Sequence, residues 1–137
     1  MNAGIEDDLK IVGEDVWLTV PPFSEYLRTV RLVAADAASR AGLDYEEIDD
    51  VRIAVSELCS LVSLDAGATV TLLFLAEPGI LTVTGESETG AAAVVGTELS
   101  DAIIAAVADE HSLESDAGTT RFRVTKRSRR GGPTAGS

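Results

Sequence analysis

The sequence predicts an α+β fold: a two-layer α/β sandwich in which one mixed sheet carries helices on a single face. Two observations point there. The hydrophobic periods run in the order strand, helix, helix, strand, strand, loop, helix, strand, with too few helices for a doubly wound sheet. Glu77-Pro78-Gly79 also separates two adjacent β-rich runs, so the centre of the sheet is an antiparallel hairpin.

Asp15 to Val20 alternates, with Val16, Leu18 and Val20 on one face and Trp17 and Thr19 on the other, and Pro21-Pro22 closes it as a strand. Ser24 is placed to cap a helix reaching about Arg40, with an apolar stripe of Leu27, Val30, Ala34, Ala37, Ala38 and Ala41. Gly42 ends it. Asp44 followed by Glu47 reads as a capping box for a second helix. That helix buries Ile48, Val51, Val55, Leu58, Cys59 and Val62, and Gly67 closes it.

The hairpin pairs Ala68 to Ala76 with Ile80 to Thr84. Gly85 to Thr97 is small and polar and reads as a loop, with at most a short strand or turn at Ala92 to Val95. Helical spacing returns through Leu99, Ile103, Ile104 and Val107. Asp116-Ala117-Gly118 makes a turn, and Thr119 to Lys126 alternates as the last strand. The organisation expected is a flexible leader over residues 1–13, one domain over 14–127 and a disordered basic tail over 128–137.

At 137 residues the chain fits one domain, with 45% apolar and 25% charged residues. No apolar run approaches a membrane-spanning length, and the opening MNAGIEDDLK is acidic where a secretory leader is basic. The single Cys59 has no intrachain disulfide partner. These features suggest a cytoplasmic protein. The formal net charge is −12, every acid lies at or before Asp116, and Lys126, Arg127, Arg129 and Arg130 gather near the end. So acidic a body repels phosphate backbones, which excludes direct nucleic-acid binding by the domain and favours a basic protein partner. No His/Cys cluster suggests a metal site, and the lone His111 sits in what reads as a polar turn.

Three stretches carry a family resemblance. Ile53-Ala54-Val55-Ser56-Glu57-Leu58-Cys59-Ser60-Leu61 matches a helix whose pattern runs L-A-V-x-E-A-x-x-N. Asp109 and then Gly118-Thr119-Thr120-Arg121-Phe122-Arg123-Val124-Thr125-Lys126 match a C-terminal pattern of Asp, hairpin, Gly-Thr-x, strand and Lys. The first helix carries an Arg, here Arg31, where the family repeats one. Together, over about residues 15–127, they resemble the histidine-kinase-like ATPase (GHKL, Bergerat) fold. Within it the likeness is to small anti-sigma factors of the RsbW and SpoIIAB type.

The resemblance implies a catalytic base at Glu57 and a Mg²⁺-holding Asn four residues on, on the same helical face. Position 61 is instead Leu61, with no oxygen for a cation that demands oxygen ligands. The family's adenine-binding Asp-x-Gly-x-Gly is replaced by Gly85-Glu86-Ser87-Glu88-Thr89-Gly90, so Gly85, Ser87 and Gly90 mark degenerate nucleotide positions. Ala91 to Glu98 leaves no room for the family's Gly-rich phosphate loop.

The expectation is an anti-sigma-like regulator that sequesters a sigma factor and answers to an anti-anti-sigma (STAS-domain) protein. It would work as a homodimer, without ATP, Mg²⁺ or another cofactor. Arg28 and Arg31 would contact the partner, and Glu57 would be a relic of the base. The alternatives are an active serine/threonine kinase that phosphorylates its STAS antagonist with ATP–Mg²⁺, and an adaptor that binds a STAS protein alone. Trp17 and Tyr26 belong either to the core or to a dimer interface.

Overall fold

The computed structural model describes residues 14–22, 24–63, 69–88 and 98–129. β1 (Glu14–Val20) leads through a 3₁₀ turn (Ser24–Tyr26) into α1 (Leu27–Arg40). Next come α2 (Tyr45–Ser63), the hairpin β2 (Val70–Glu77) and β3 (Ile80–Glu88), α3 (Glu98–Val107), and a second hairpin of β4 (Glu110–Asp116) and β5 (Thr119–Arg127). The five strands lie in the order β1-β2-β3-β5-β4.

Each element starts and stops for a local reason. After α1, Gly42 takes φ +88°, and the amides of Gly42 and Leu43 bond back to Ser39 O and Ala38 O. This is a Schellman stop that glycine permits without strain. The capping box forms as the sequence suggests. Asp44 N donates to Glu47 Oε1 at 2.8 Å, and Glu47 N donates to Asp44 Oδ1 at 2.9 Å. Pro78 followed by Gly79 at φ 82° gives β2–β3 the arrangement of a type II turn. In the β4–β5 turn, Ala117 (φ 53°) and Gly118 (φ 85°) are both left-handed, as a type I′ hairpin requires.

One face of the sheet is apolar and covered by the helices. Its rungs follow from the register: Val16, Phe74, Val83, Val124 and His111 form one, and Leu18, Leu72, Gly85, Phe122 and Leu113 the next. Val30, Ala34, Ala37 and Ala38 of α1 and Val51, Ala54, Val55, Leu58, Cys59 and Val62 of α2 close over them. Small residues on α1 let it settle close to the sheet and to α2. Val20, Leu72, Phe74, Leu81, Val83 and Ile104 complete the core.

Several sequence expectations change. Ser24 lies in the 3₁₀ turn and the first helix begins after Tyr26 with no side-chain cap hydrogen bond, and β3 runs on past Thr84 to Glu88. The sheet is antiparallel in every pairing rather than mixed, because β5 returns alongside β3 with β4 outside it. A fifth strand, β4, occupies the segment between α3 and the last turn, so His111 lies on a strand and not in a turn. The chain also stays packed past residue 127. Ser128 N donates to Gly79 O at 2.8 Å, and Arg129 N donates to Glu47 Oε2 at 2.6 Å. The leader and residues 130–137 lie outside the described residues.

Candidate functional site

The residues with chemical potential sit where α2 and α3 cross the covered face of the sheet. α2 carries Glu57 and Leu61 one turn apart. Glu57 is half-buried, and Ser100 Oγ donates to its Oε2 at 2.8 Å. Ser100 is itself buried, on the first turn of α3. The carboxylate thus serves as an interhelical hydrogen-bond acceptor. Leu61 is partly buried and packs on the core cluster, so the face of α2 below Glu57 is apolar.

The sheet side of the site is set by strand parity. Leu81, Val83, Gly85 and Ser87 of β3 face the helices, while Glu86 and Glu88 are exposed on the opposite face. Glu86 therefore points away from Glu57 and pairs with Arg121 at 3.3 Å. Gly85 lies under the Phe122 ring, where an added Cβ would come within 2.4 Å of Phe122 Cζ. A side chain at this position, an acid included, would require the Phe122 ring to move. Ser87 stands opposite Thr120, and both are buried. Ser87 Oγ has no hydrogen-bond partner among the described residues. Gly90 and the 91–97 segment lie outside the described residues.

Away from this crossing, the cations divide into two groups. Arg40, Arg52, Arg121, Lys126, Arg127 and Arg129 each pair with a carboxylate. Arg28, Arg31 and Arg123 are exposed and have no carboxylate partner among the described residues; Arg31 Nη1 reaches the neutral Ser56 hydroxyl at 3.3 Å. Arg28 and Arg31 share α1 with Leu32, which is 64% exposed.

A strand–helix–helix start, a Glu-bearing second helix over an antiparallel sheet, and a closing hairpin are what comparison with known proteins also finds. The model of the histidine kinase-like ATPase domain matches residues 20–63. The serine-protein kinase RsbW of Halalkalibacterium halodurans is 41% identical over 64 residues, covering 44% of this chain and 40% of the relative. That of Bacillus cereus is 38% identical over 47 residues, covering 34% and 29%. The alignments thus span less than half of these relatives. A crystal structure of the RsbU and RsbW domains of a Mycobacterium tuberculosis protein superposes with TM-score 0.63. It shares 20% identity and covers 83% of this chain and 32% of that one. The chain has the histidine kinase-like ATPase fold, and the stretch it shares with its relatives is similar to RsbW.

The remaining candidates in this domain resolve as follows. Cys59 is buried, and that burial pushes its thiol up to about 12, so at neutral pH it is an inert apolar side chain. His111 Nε2 lies 2.9 Å from Asp101 Oδ1, tying β4 to α3. Trp17 is 66% exposed on the helix-free face of the sheet, and Tyr26 is partly exposed too, so neither belongs to the core. No group of residues suited to hold a metal ion occurs among the described residues, and none of the helices described is long and apolar enough to cross a membrane. Sequence reasoning missed Ser100 and Glu47. Ser100 gave no signal, since a serine on a helix is unremarkable until its neighbour is known. Glu47 was visible as a cap, but not as the anchor of the chain's end.

Proposed function

We propose that this RsbW-type domain works by binding proteins and not by transferring phosphate. In this reading it is an anti-sigma-like regulator of transcription. It sequesters a sigma factor and releases it when an anti-anti-sigma STAS-domain protein competes. The observation that carries this is the state of α2: Glu57 is engaged by Ser100, and the next turn presents Leu61. A Mg²⁺ ion bridging nucleotide phosphates needs oxygen ligands in near-octahedral geometry, and a leucine supplies none. The closed space at Gly85 and the outward Glu86 likewise do not fit an acid that receives the adenine amino group. Exchange of partners would then follow affinity and concentration alone.

Arg28 and Arg31 supply the contact surface in this reading. They are cations without carboxylate partners among the described residues of an acidic molecule, and a guanidinium can pair bidentately with a carboxylate across an interface. Homodimerisation would use the helix-free face, where Trp17 stands exposed beside the β1 edge.

The test has two arms. Titration with a fluorescent ATP analogue and Mg²⁺ is expected to give no saturable micromolar binding. Purified sigma factors are expected to include one that binds the wild-type chain, with Arg31→Glu weakening it about ten-fold or more. Failure of every sigma factor and STAS protein to bind would remove the regulator reading. Retention of Glu57 favours a second reading, an active serine/threonine kinase of the family. Saturable nucleotide binding that disappears in Glu57→Gln would establish it over the first.

A further inference from the structure

The solvent side of α3 is apolar where a surface helix is expected to be polar. From Ala102 to Val107 it carries no polar side chain, yet Ala102, Ala105 and Ala106 are exposed and Leu99 is 71% exposed. A helix that is apolar all round ordinarily has both sides covered. Its position beside α2 is fixed at two levels. Ser100 bonds Glu57 at one end, and Lys126 Nζ at the other joins Asp50 Oδ2 (2.9 Å) to Val107 O (2.8 Å). The two helices therefore run antiparallel, and Ile53, which is 45% exposed, stands level with the middle of α3. Ile53, Ile103, Leu99, Ala102 and Ala106 form one apolar seam along the outer side of α2 and α3.

The charge around that seam is net negative: the carboxylates of Asp49, Asp50, Glu57, Glu98 and Asp101 stand against the cations Arg52 and Lys126. Glu98 flanks the seam on α3 and Glu57 lies at its base, while His111 holds Asp101 toward β4. Arg52 and Lys126, the cations nearby, are already neutralised by Asp49 and Asp50. Arg28 and Arg31, which have no carboxylate partner among the described residues, belong to α1. The helical layer thus carries two surfaces of opposite preference: a cationic one on α1, and an apolar one rimmed by carboxylates on α2 and α3.

We infer that the α2–α3 seam docks a basic amphipathic helix of a protein partner, its apolar stripe along the seam and its lysines or arginines on the acidic rim. The site does not depend on the function proposed for the α1 surface.

The probe is a synthetic leucine–lysine peptide with leucines at helical spacing, titrated into the isotope-labelled full chain and followed by NMR. Saturable binding is expected, with shifts at Ile53, Leu99, Ile103 and Ala106. Leu99→Lys should weaken it about ten-fold or more without lowering the thermal midpoint, since Leu99 is largely exposed. Leu32→Lys on α1 should leave it unchanged.

Four results would overturn the inference. One is absence of saturable binding, and another is a shift map elsewhere. A third is equal affinity for a scrambled peptide of the same composition, which would reduce the effect to charge. The fourth is a seam already covered in the free chain, by a second copy or by residues 89–97. Concentration-dependent self-association lost in Leu99→Lys would reveal the former, and footprinting protection of Leu99 and Ala106 the latter. Because Leu99→Lys and Arg31→Glu read different surfaces, failure here leaves the sigma-binding test intact.

Discussion

Removing the Glu47 carboxylate should cost this protein a large share of its stability. Glu47 is fully buried, and its two oxygens hold three parts of the chain together. Oε1 accepts the Asp44 amide at 2.8 Å and Oε2 the Arg129 amide at 2.6 Å, with Arg129 Nε at 3.4 Å. Hydrogen bonds from N–H groups to a charged acceptor contribute about 1.5–3 kcal/mol each. Relief of the buried charge's desolvation offsets part of two such bonds. Glu47→Ala is therefore expected to cost about 3 kcal/mol, and Glu47→Gln, which keeps one acceptor and sets its amide NH₂ against the other backbone donor, about 2–3 kcal/mol. Set against the 5–15 kcal/mol typical of a domain, the first value is severe.

The assay is urea unfolding followed by far-UV circular dichroism, because Trp17 is too exposed to report on the core. A chain ending at Ser128 lacks the Arg129 amide, so Glu47→Ala should cost less in that background. The Arg129 guanidinium is 62% exposed on its side chain, and Arg129→Ala should cost much less than either Glu47 variant. A loss under about 1 kcal/mol for Glu47→Ala would refute this account of the node.

Other outcomes follow from single contacts. Gly85→Ala should destabilise by about 1–3 kcal/mol, because its Cβ has no room beneath Phe122. A smaller Phe122→Leu ring replacement should recover part of that loss in a double-mutant cycle. Ala117→Gly should raise stability by about 0.5–1 kcal/mol, since Ala117 holds a left-handed conformation at φ 53°. Cys59 should resist thiol reagents at pH 8 and label at the rate of unfolding. Burial pushes its thiol up from the ordinary 9.0 to about 12, so above about pH 9 the unfolded chain loses its proton first. That contribution to stability is complete below pH 9 and lost as pH rises toward 12, which Cys59→Ala would abolish.

The sequence carried most of the helical layer because its signals are local. The apolar stripes of α1 and α2, the Asp44–Glu47 box and the Gly42 stop each lie within a few residues and act over that distance. β4 was missed for an equally physical reason. Glu110 to Asp116 reads EHSLESD, with Leu113 its one apolar residue, and an edge strand needs little burial and benefits from charge. Its presence follows from the two-residue turn at Ala117-Gly118, which must join strands. Antiparallel pairing of β5 with β3 was also beyond local reading, since either direction satisfies the same alternation. The site divides in the same way. Leu61 in place of Asn is written in the sequence, whereas the Ser100–Glu57 bond depends on where α3 comes to rest, 43 positions on.

Glu88 and Thr119 face each other across the β3–β5 ladder. Between them in sequence come α3, which the core holds through Ile104, and β4, which lies in the same sheet on the far side of β5. A flexible connection between Glu88 and α3 can lengthen, shorten or change composition without altering the register of β3 and β5, and each doubling of its length costs only about 0.6 kcal/mol in closure. The three helices and five strands, by contrast, are locked into one packed unit. In a fold built this way, the portion best able to diverge leads directly into the helix whose Ser100 bonds Glu57.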